Sequence, residues 1–76
     1  MKKNFNEALG ARLKQVRKEK GFSQEYIAQC MKVTKMAVSY WESGKRAMYA
    51  DSLQNYCNIL GCRMQEIFDG MEDFGS

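Results

Sequence analysis

Ser23–Arg46 reads SQEYIAQCMKVTKMAVSYWESGKR, and its punctuation decides the fold. Ser23 is placed to cap a helix, because its hydroxyl can accept from an N–H of the first turn. Phe22 before it and Ile27 after it are spaced for a hydrophobic staple. Ile27, Ala28 and Met31 form the inward stripe of that helix. Lys32-Val33 makes a tight turn, Thr34 is the next cap, and a further helix over about Lys35 to Ser43 is closed by Gly44. At about 100° per residue, Ala37, Val38 and Trp41 cluster on one side of it, while Lys35, Met36, Ser39 and Tyr40 fan across the other. Met36 apart, the outer face carries nothing that a core would require.

Outward from this stretch the pattern stays helical, and no alternating period-two run interrupts it. A first helix over about Asn6 to Lys20 has Leu9, Leu13 and Val16 on one face, basic residues in its last turns, and Gly21 as its stop. After a basic loop at Lys45-Arg46, a fourth helix runs from about Ala50 or Asp51 to Leu60 with Leu53, Tyr56, Cys57 and Leu60 inward. Gly61 ends it. A short fifth helix, about Met64 to Phe68, precedes a polar tail over 69–76 that carries two apolar residues, Met71 and Phe74. The expected architecture is all-α: one compact five-helix domain over residues 1–76, with a core at about 6–68 and a helix-turn-helix formed by helices two and three.

At 76 residues a single core is marginal, and a second copy would add buried surface. No apolar run approaches the roughly 18 residues of a membrane span. Met1-Lys2-Lys3 leads into polar residues rather than the apolar stretch of a secretory signal, so a cytoplasmic chain with no membrane partner is expected. Three cysteines, Cys30, Cys57 and Cys62, with no histidine, match no common zinc spacing and read as small packing residues. No metal or other cofactor is implied. Without histidine, a glycine-rich phosphate loop, or a nucleophile and base at recognisable spacing, no active site assembles, and an enzyme is not expected.

Charge is more informative by position than by sum. Residues 1–46 hold eleven Lys or Arg against four acids, net +7, while residues 47–76 hold one against five, net −4, together the overall +3. A basic front and an acidic rear suit a protein that lays one face on a polyanion. Two short helices with a small, polar outer face on the second are the layout that holds a helix in a DNA major groove.

From about Ala8 to Phe68 the chain resembles the Cro and lambda-repressor-like helix-turn-helix domain, the XRE family of phage and bacterial transcription regulators. The resemblance is carried by Ser23, Gln24 and Ala28, by the turn Val33-Thr34, and by Val38, Ser39, Trp41 and Glu42. Gly44-Lys45-Arg46, Leu53 and Leu60-Gly61 complete it. Two departures stand out. Lys32 occupies the turn position where the family usually has glycine, which asks a residue with a Cβ to take a positive φ at a cost of about 1 kcal/mol. Met48-Tyr49 stands where Pro-Ser usually precedes helix four, which removes the usual cap.

The resemblance implies roles residue by residue. Gln24 would hold a phosphate at the start of helix two, and Lys45 and Arg46 would contact the DNA backbone. Lys35, Met36, Ala37, Ser39 and Tyr40 occupy the positions from which the family reads base edges, with Thr34 and Ser43 at the ends of the same helix. Lysine can donate to guanine, and the methyl groups of Met36 and Ala37 could meet a thymine methyl, but no Arg, Asn or Gln supplies a bidentate code. The operator sequence is therefore not legible. Arg17 and Glu42 read as a largely buried structural salt bridge. Met64, Ile67, Phe68 and Met71, with Cys62 and Phe74 nearby, crowd more apolar surface into one corner than a small domain readily buries, and mark a dimer interface. The reading is a sequence-specific double-stranded DNA-binding transcription regulator, a repressor or a phage or mobile-element control protein acting as a homodimer. The alternative is an antitoxin or similar module of the same fold that binds a partner protein.

Overall fold

In the computed structural model, residues 3–71 are described. They form five helices: α1 (Phe5–Lys20), α2 (Gln24–Met31), α3 (Lys35–Ser43), α4 (Ala50–Leu60) and α5 (Met64–Asp69). α1 starts one residue before the expected Asn6 because Asn4 and Glu7 form a reciprocal cap. The Glu7 N–H donates to Asn4 Oδ1 at 2.8 Å, and the Asn4 N–H donates to Glu7 Oε1 at 3.1 Å. Ser23 and Thr34 cap α2 and α3 as their positions predict, accepting from the N–H groups of Tyr26 and Ala37. Tyr49 makes no side-chain cap bond at the start of α4.

The turn between α2 and α3 contains the single described non-glycine residue with positive φ, Lys32 at 58°. The conformation is the one the departure from glycine implied. It lets the Lys32 and Val33 N–H groups turn back onto the carbonyls of Gln29 and Ala28, at 3.3 and 3.0 Å, so the end of α2 is satisfied despite the side chain.

Leu9, Leu13 and Val16 of α1, Ile27 and Ala28 of α2, Val38 and Trp41 of α3, and Leu53, Tyr56, Cys57 and Leu60 of α4 close around one core. α1 and α3 come into close backbone contact at Gly10. A Cβ there would lie 2.6 Å from the Glu42 carbonyl oxygen and against that of Trp41, so hydrogen is the only side chain that fits. Ile67 of α5 is fully buried. This corrects its assignment to a dimer interface: the short helix turns this residue into the monomer core, and no surface is left on it for a second copy. Met64 and Met71 are half-buried against the same core, and Phe68 remains 39% exposed. Phe74 lies outside the described residues.

α5 is held from behind by Arg12. Its Nε and Nη2 donate to the carbonyls of Ile67 and Glu66 at 3.3 and 3.0 Å, a cationic cap on a helix C-terminus. Of the three cysteines, Cys57 is buried and Cys62 half-buried, but Cys30 is exposed, so the packing role expected for all three does not extend to it. Burial, with Cys62 alongside, pushes the Cys57 thiol up to about 12 and keeps it protonated. Among the described residues no helix is long and apolar enough to cross a membrane.

Candidate nucleic-acid interface

The inner side of α3 is fixed by a buried polar cluster. Arg17 and Glu42 are 6% and 5% exposed. Arg17 Nε and Nη2 donate to the two Glu42 oxygens at 2.7 and 2.9 Å, a bidentate pair between residues 25 apart in the chain. The same guanidinium donates through Nη1 to the Phe22 carbonyl at 2.7 Å, anchoring the segment that leads into α2. Gln24 Nε2 donates to Glu42 Oε1 at 3.0 Å, and the Tyr56 hydroxyl donates to Glu42 Oε2. One carboxylate thus gathers donors from α1, α2 and α4. No buried side-chain polar atom among the described residues lacks a partner.

Electrostatics follow from that geometry. Burial alone would raise the Glu42 carboxyl, but the hydrogen bonds from Arg17, Gln24 and Tyr56 outweigh it and hold the group below its ordinary range. The Glu42 hydrogen bond raises the Arg17 guanidinium against the opposing effect of burial. Desolvation, then the hydrogen bond to Glu42 and its charge, pushes the Tyr56 hydroxyl well above the usual phenol range.

The outer side of α3 is open. Lys35, Met36, Ser39 and Tyr40 line a shallow surface depression, with Gln24 of α2 on its edge. Lys35 and Met36 are exposed, Met36 by 60%, while Ser39 and Tyr40 are half-buried. Lys35 Nζ lies 3.7 Å from Glu25 Oε1 in a solvent-exposed pair. Beyond the C-terminus of α3, Lys45 Nζ and Arg46 Cζ stand 5.7 and 5.3 Å from the centre of the Tyr40 ring. Ser43 is exposed, and its hydroxyl donates to the Tyr40 carbonyl at 3.2 Å.

The fold that presents this helix is matched in known proteins. A helix-turn-helix family profile covers residues 13–67. The chain belongs to the helix-turn-helix family. Its relatives include the HTH-type transcriptional activator BcrR of Enterococcus faecalis, 34% identical over 68 residues that make up 90% of this chain and 31% of BcrR. The chain therefore spans about a third of that relative. Among solved structures, the clp gene regulator ClgR from C. glutamicum superposes with a TM-score of 0.86 at 26% identity, over 91% of this chain and 88% of ClgR. SinR, described as a master regulator for biofilm formation and solved in complex with DNA, superposes with a TM-score of 0.72 at 29% identity, over 80% and 98% of the two chains. These are XRE-like, lambda-repressor-like regulators, the group the sequence resembles.

Within this helix-turn-helix domain the expected site residues divide. Lys35, Met36, Ser39 and Tyr40 are gathered on one surface, and Lys45 and Arg46 stand beside it. Thr34 is exposed, with its hydroxyl accepting from the Ala37 N–H at 3.1 Å. Ala37 does not belong with them. At 6% exposed it is part of the core, because its position on the helical wheel carries it to the side of Val38 and Trp41, away from where a base could lie. Gln24 differs in kind: its amide is turned toward Glu42 rather than toward solvent.

Three participants were not anticipated. Tyr56 had only its apolar inward position to go by, although a buried phenol needs a hydrogen-bond partner and signals one. Glu25 as a partner of Lys35 and Gly10 as the contact point of α1 with α3 depend on how helices cross, which residue spacing does not encode. Arg12 and Arg17 both hold the fold together, so the basic surface available to a polyanion is smaller than the charge of the front half suggests.

Proposed function

We propose that this chain is a sequence-specific double-stranded DNA-binding transcription regulator that sets the outer face of α3 in the major groove and lays Lys45 and Arg46 on the sugar-phosphate backbone. The observation that carries the reading is the two-sidedness of α3: a face with Lys35 and Met36 exposed and Ser39 half-buried beside them, on a helix whose other face is locked by four hydrogen bonds to Glu42. Preorganisation of that kind lowers the cost of binding. The family and the SinR–DNA structure support it. A site overlapping a promoter makes such a protein a repressor by occlusion, in the cytoplasm where the DNA lies; BcrR, by contrast, is described as an activator.

We further propose a homodimer through α5, with exposed Phe68 at the centre and half-buried Met64 and Met71 beside it. Two-fold symmetry then demands a palindromic operator with half-sites about one helical turn apart, roughly 34 Å. Selection of bound fragments from a genomic DNA pool, followed by footprinting, tests the reading. Enriched sequences should carry that palindrome, and affinity should fall with salt at a log–log slope of about −0.9 per phosphate contacted. Absence of duplex binding at low salt overturns it. Sedimentation should show a dimer at tens of micromolar that Phe68→Glu dissociates; a monomer binding single half-sites without cooperativity removes the dimer alone.

A further inference from the structure

Tyr40 sits where a base reader is expected, yet its contacts run to the corner after α3. Its carbonyl oxygen is the anchor of the corner after α3: the Ser43 hydroxyl donates to it at 3.2 Å, and the backbone N–H groups of Lys45 and Arg46 at 3.0 and 3.3 Å. The two residues whose backbones are tied to that oxygen then bring their side chains back over its ring, with Lys45 Nζ 5.7 Å and Arg46 Cζ 5.3 Å from the centroid. Among the described residues neither cation is in an ion pair with an acid. The electron-rich ring face is therefore what offsets the mutual repulsion of two adjacent positive charges and limits the rotamers of two long side chains.

We infer that Tyr40 is a positioning residue for backbone recognition: its ring and carbonyl together preset Lys45 and Arg46 to receive phosphates, and it does not read a base. This rests on the DNA-binding reading above. A ring face engaged by cations is not available to stack on a base. Cations held by the weak, non-directional pull of a ring keep their N–H groups available to phosphate oxygens, whereas carboxylate partners would compete with the phosphate. Preset cations give up less conformational freedom on binding, and that gain is the same for every duplex sequence because phosphates carry none.

The test compares wild type, Tyr40→Phe and Tyr40→Leu on two duplexes of equal length, the selected operator and an unrelated sequence, across a range of salt. Tyr40→Leu keeps apolar bulk and helix propensity but has no ring. It should weaken both duplexes by the same factor, about five- to thirtyfold if each of the two side chains must then be ordered on binding at a cost of about 0.5–1 kcal/mol. Its salt slope should be shallower by up to about 1. Tyr40→Phe should restore wild-type affinity and slope. If Tyr40→Leu loses helix content, tetrafluorophenylalanine at position 40 replaces it, keeping the ring's shape while removing its negative face, with the same expected loss. Wild-type affinity for both duplexes without the ring or its negative face overturns the inference. So does a loss confined to the operator with a changed base preference, which would make Tyr40 a base reader. Wild type that binds neither duplex at low salt fails the DNA-binding reading itself.

Discussion

The two faces of α3 are built on opposite principles. Behind the helix, Glu42 lies in a buried cluster where every donor is matched and each partner comes from a different element. In front, Lys35 and Met36 are open, and the contacts there are an exposed ion pair with Glu25 and cations over a ring. The buried face gains its rigidity from low dielectric, which strengthens satisfied hydrogen bonds and punishes missing ones. The open face contributes little to stability, because water screens its charges. One helix can therefore be held firmly enough to present a fixed surface while that surface stays free to vary.

The largest break in this contrast should come from exchanging the same kind of residue on the two sides. Trp41 is 8% exposed and Met36 60%. Trp41→Ala should cost about 3–5 kcal/mol, much of the stability of a domain this small. Met36→Ala should stay within about 0.5 kcal/mol. Thermal melts of the two variants measure both, and equal losses would mean the faces are not distinct.

Removing the cation from the cluster should be nearly as damaging. Arg17→Met strands the Glu42 carboxylate in the core, at an expected cost of about 3–5 kcal/mol. The same cluster predicts an acid limb. The folded-state pKa of Glu42 is lowered, so its contribution is present above the unfolded value, about 4.3, and is lost as pH falls through the folded one. Denaturant titrations between pH 7 and pH 2 should show this decline in wild type and a flatter one in Glu42→Gln, compared at the same starting stability.

Tyr56→Phe sharpens the comparison further, since it deletes one donor and leaves the shape intact. A loss of about 1–3 kcal/mol is expected for a buried carboxylate left with one fewer partner. The smallest effect belongs to the exposed pair. Glu25→Gln should shift stability by no more than about 0.5 kcal/mol while releasing Lys35, which shows as a gain in affinity for DNA at low salt because an acid beside the backbone is gone. A stability loss comparable to that of Tyr56→Phe would show that the outer face is structural after all.

Much of this was legible in the chain because the relevant physics is local. Caps and stops fix the ends of α2 and α3: Ser23, Thr34, Gly44 and the turn at Lys32 act within a few residues of themselves. Helical spacing likewise fixed the inward stripes of α1 and α4, all of whose members are in the core. Arg17 with Glu42 came through the family resemblance, and the structure places them as a bidentate pair.

Periodicity says which residues share a face; it does not say what covers that face. Ile67 and Phe68 are neighbours in one apolar run, yet one is fully buried and the other partly exposed. Only the seat of α5 against α1 and α4 separates them. Ala37 already lies on the Val38 and Trp41 side by helical spacing, and its burial at 6% exposed sets that spacing above the base-reading role that the family resemblance implied. The convergence of Gln24 and Tyr56 on Glu42 joins residues 18 and 14 positions apart, and the fit at Gly10 needs α1 and α3 in contact. The sequence by itself determined five helices, the caps of α2 and α3 and the two-sided α3, since those follow from dihedral preference and 3.6-residue spacing. The tertiary structure alone decided which polar side chains share a carboxylate and which apolar ones remain at the surface, since a hydrogen bond or a buried contact exists only once both of its partners are in place.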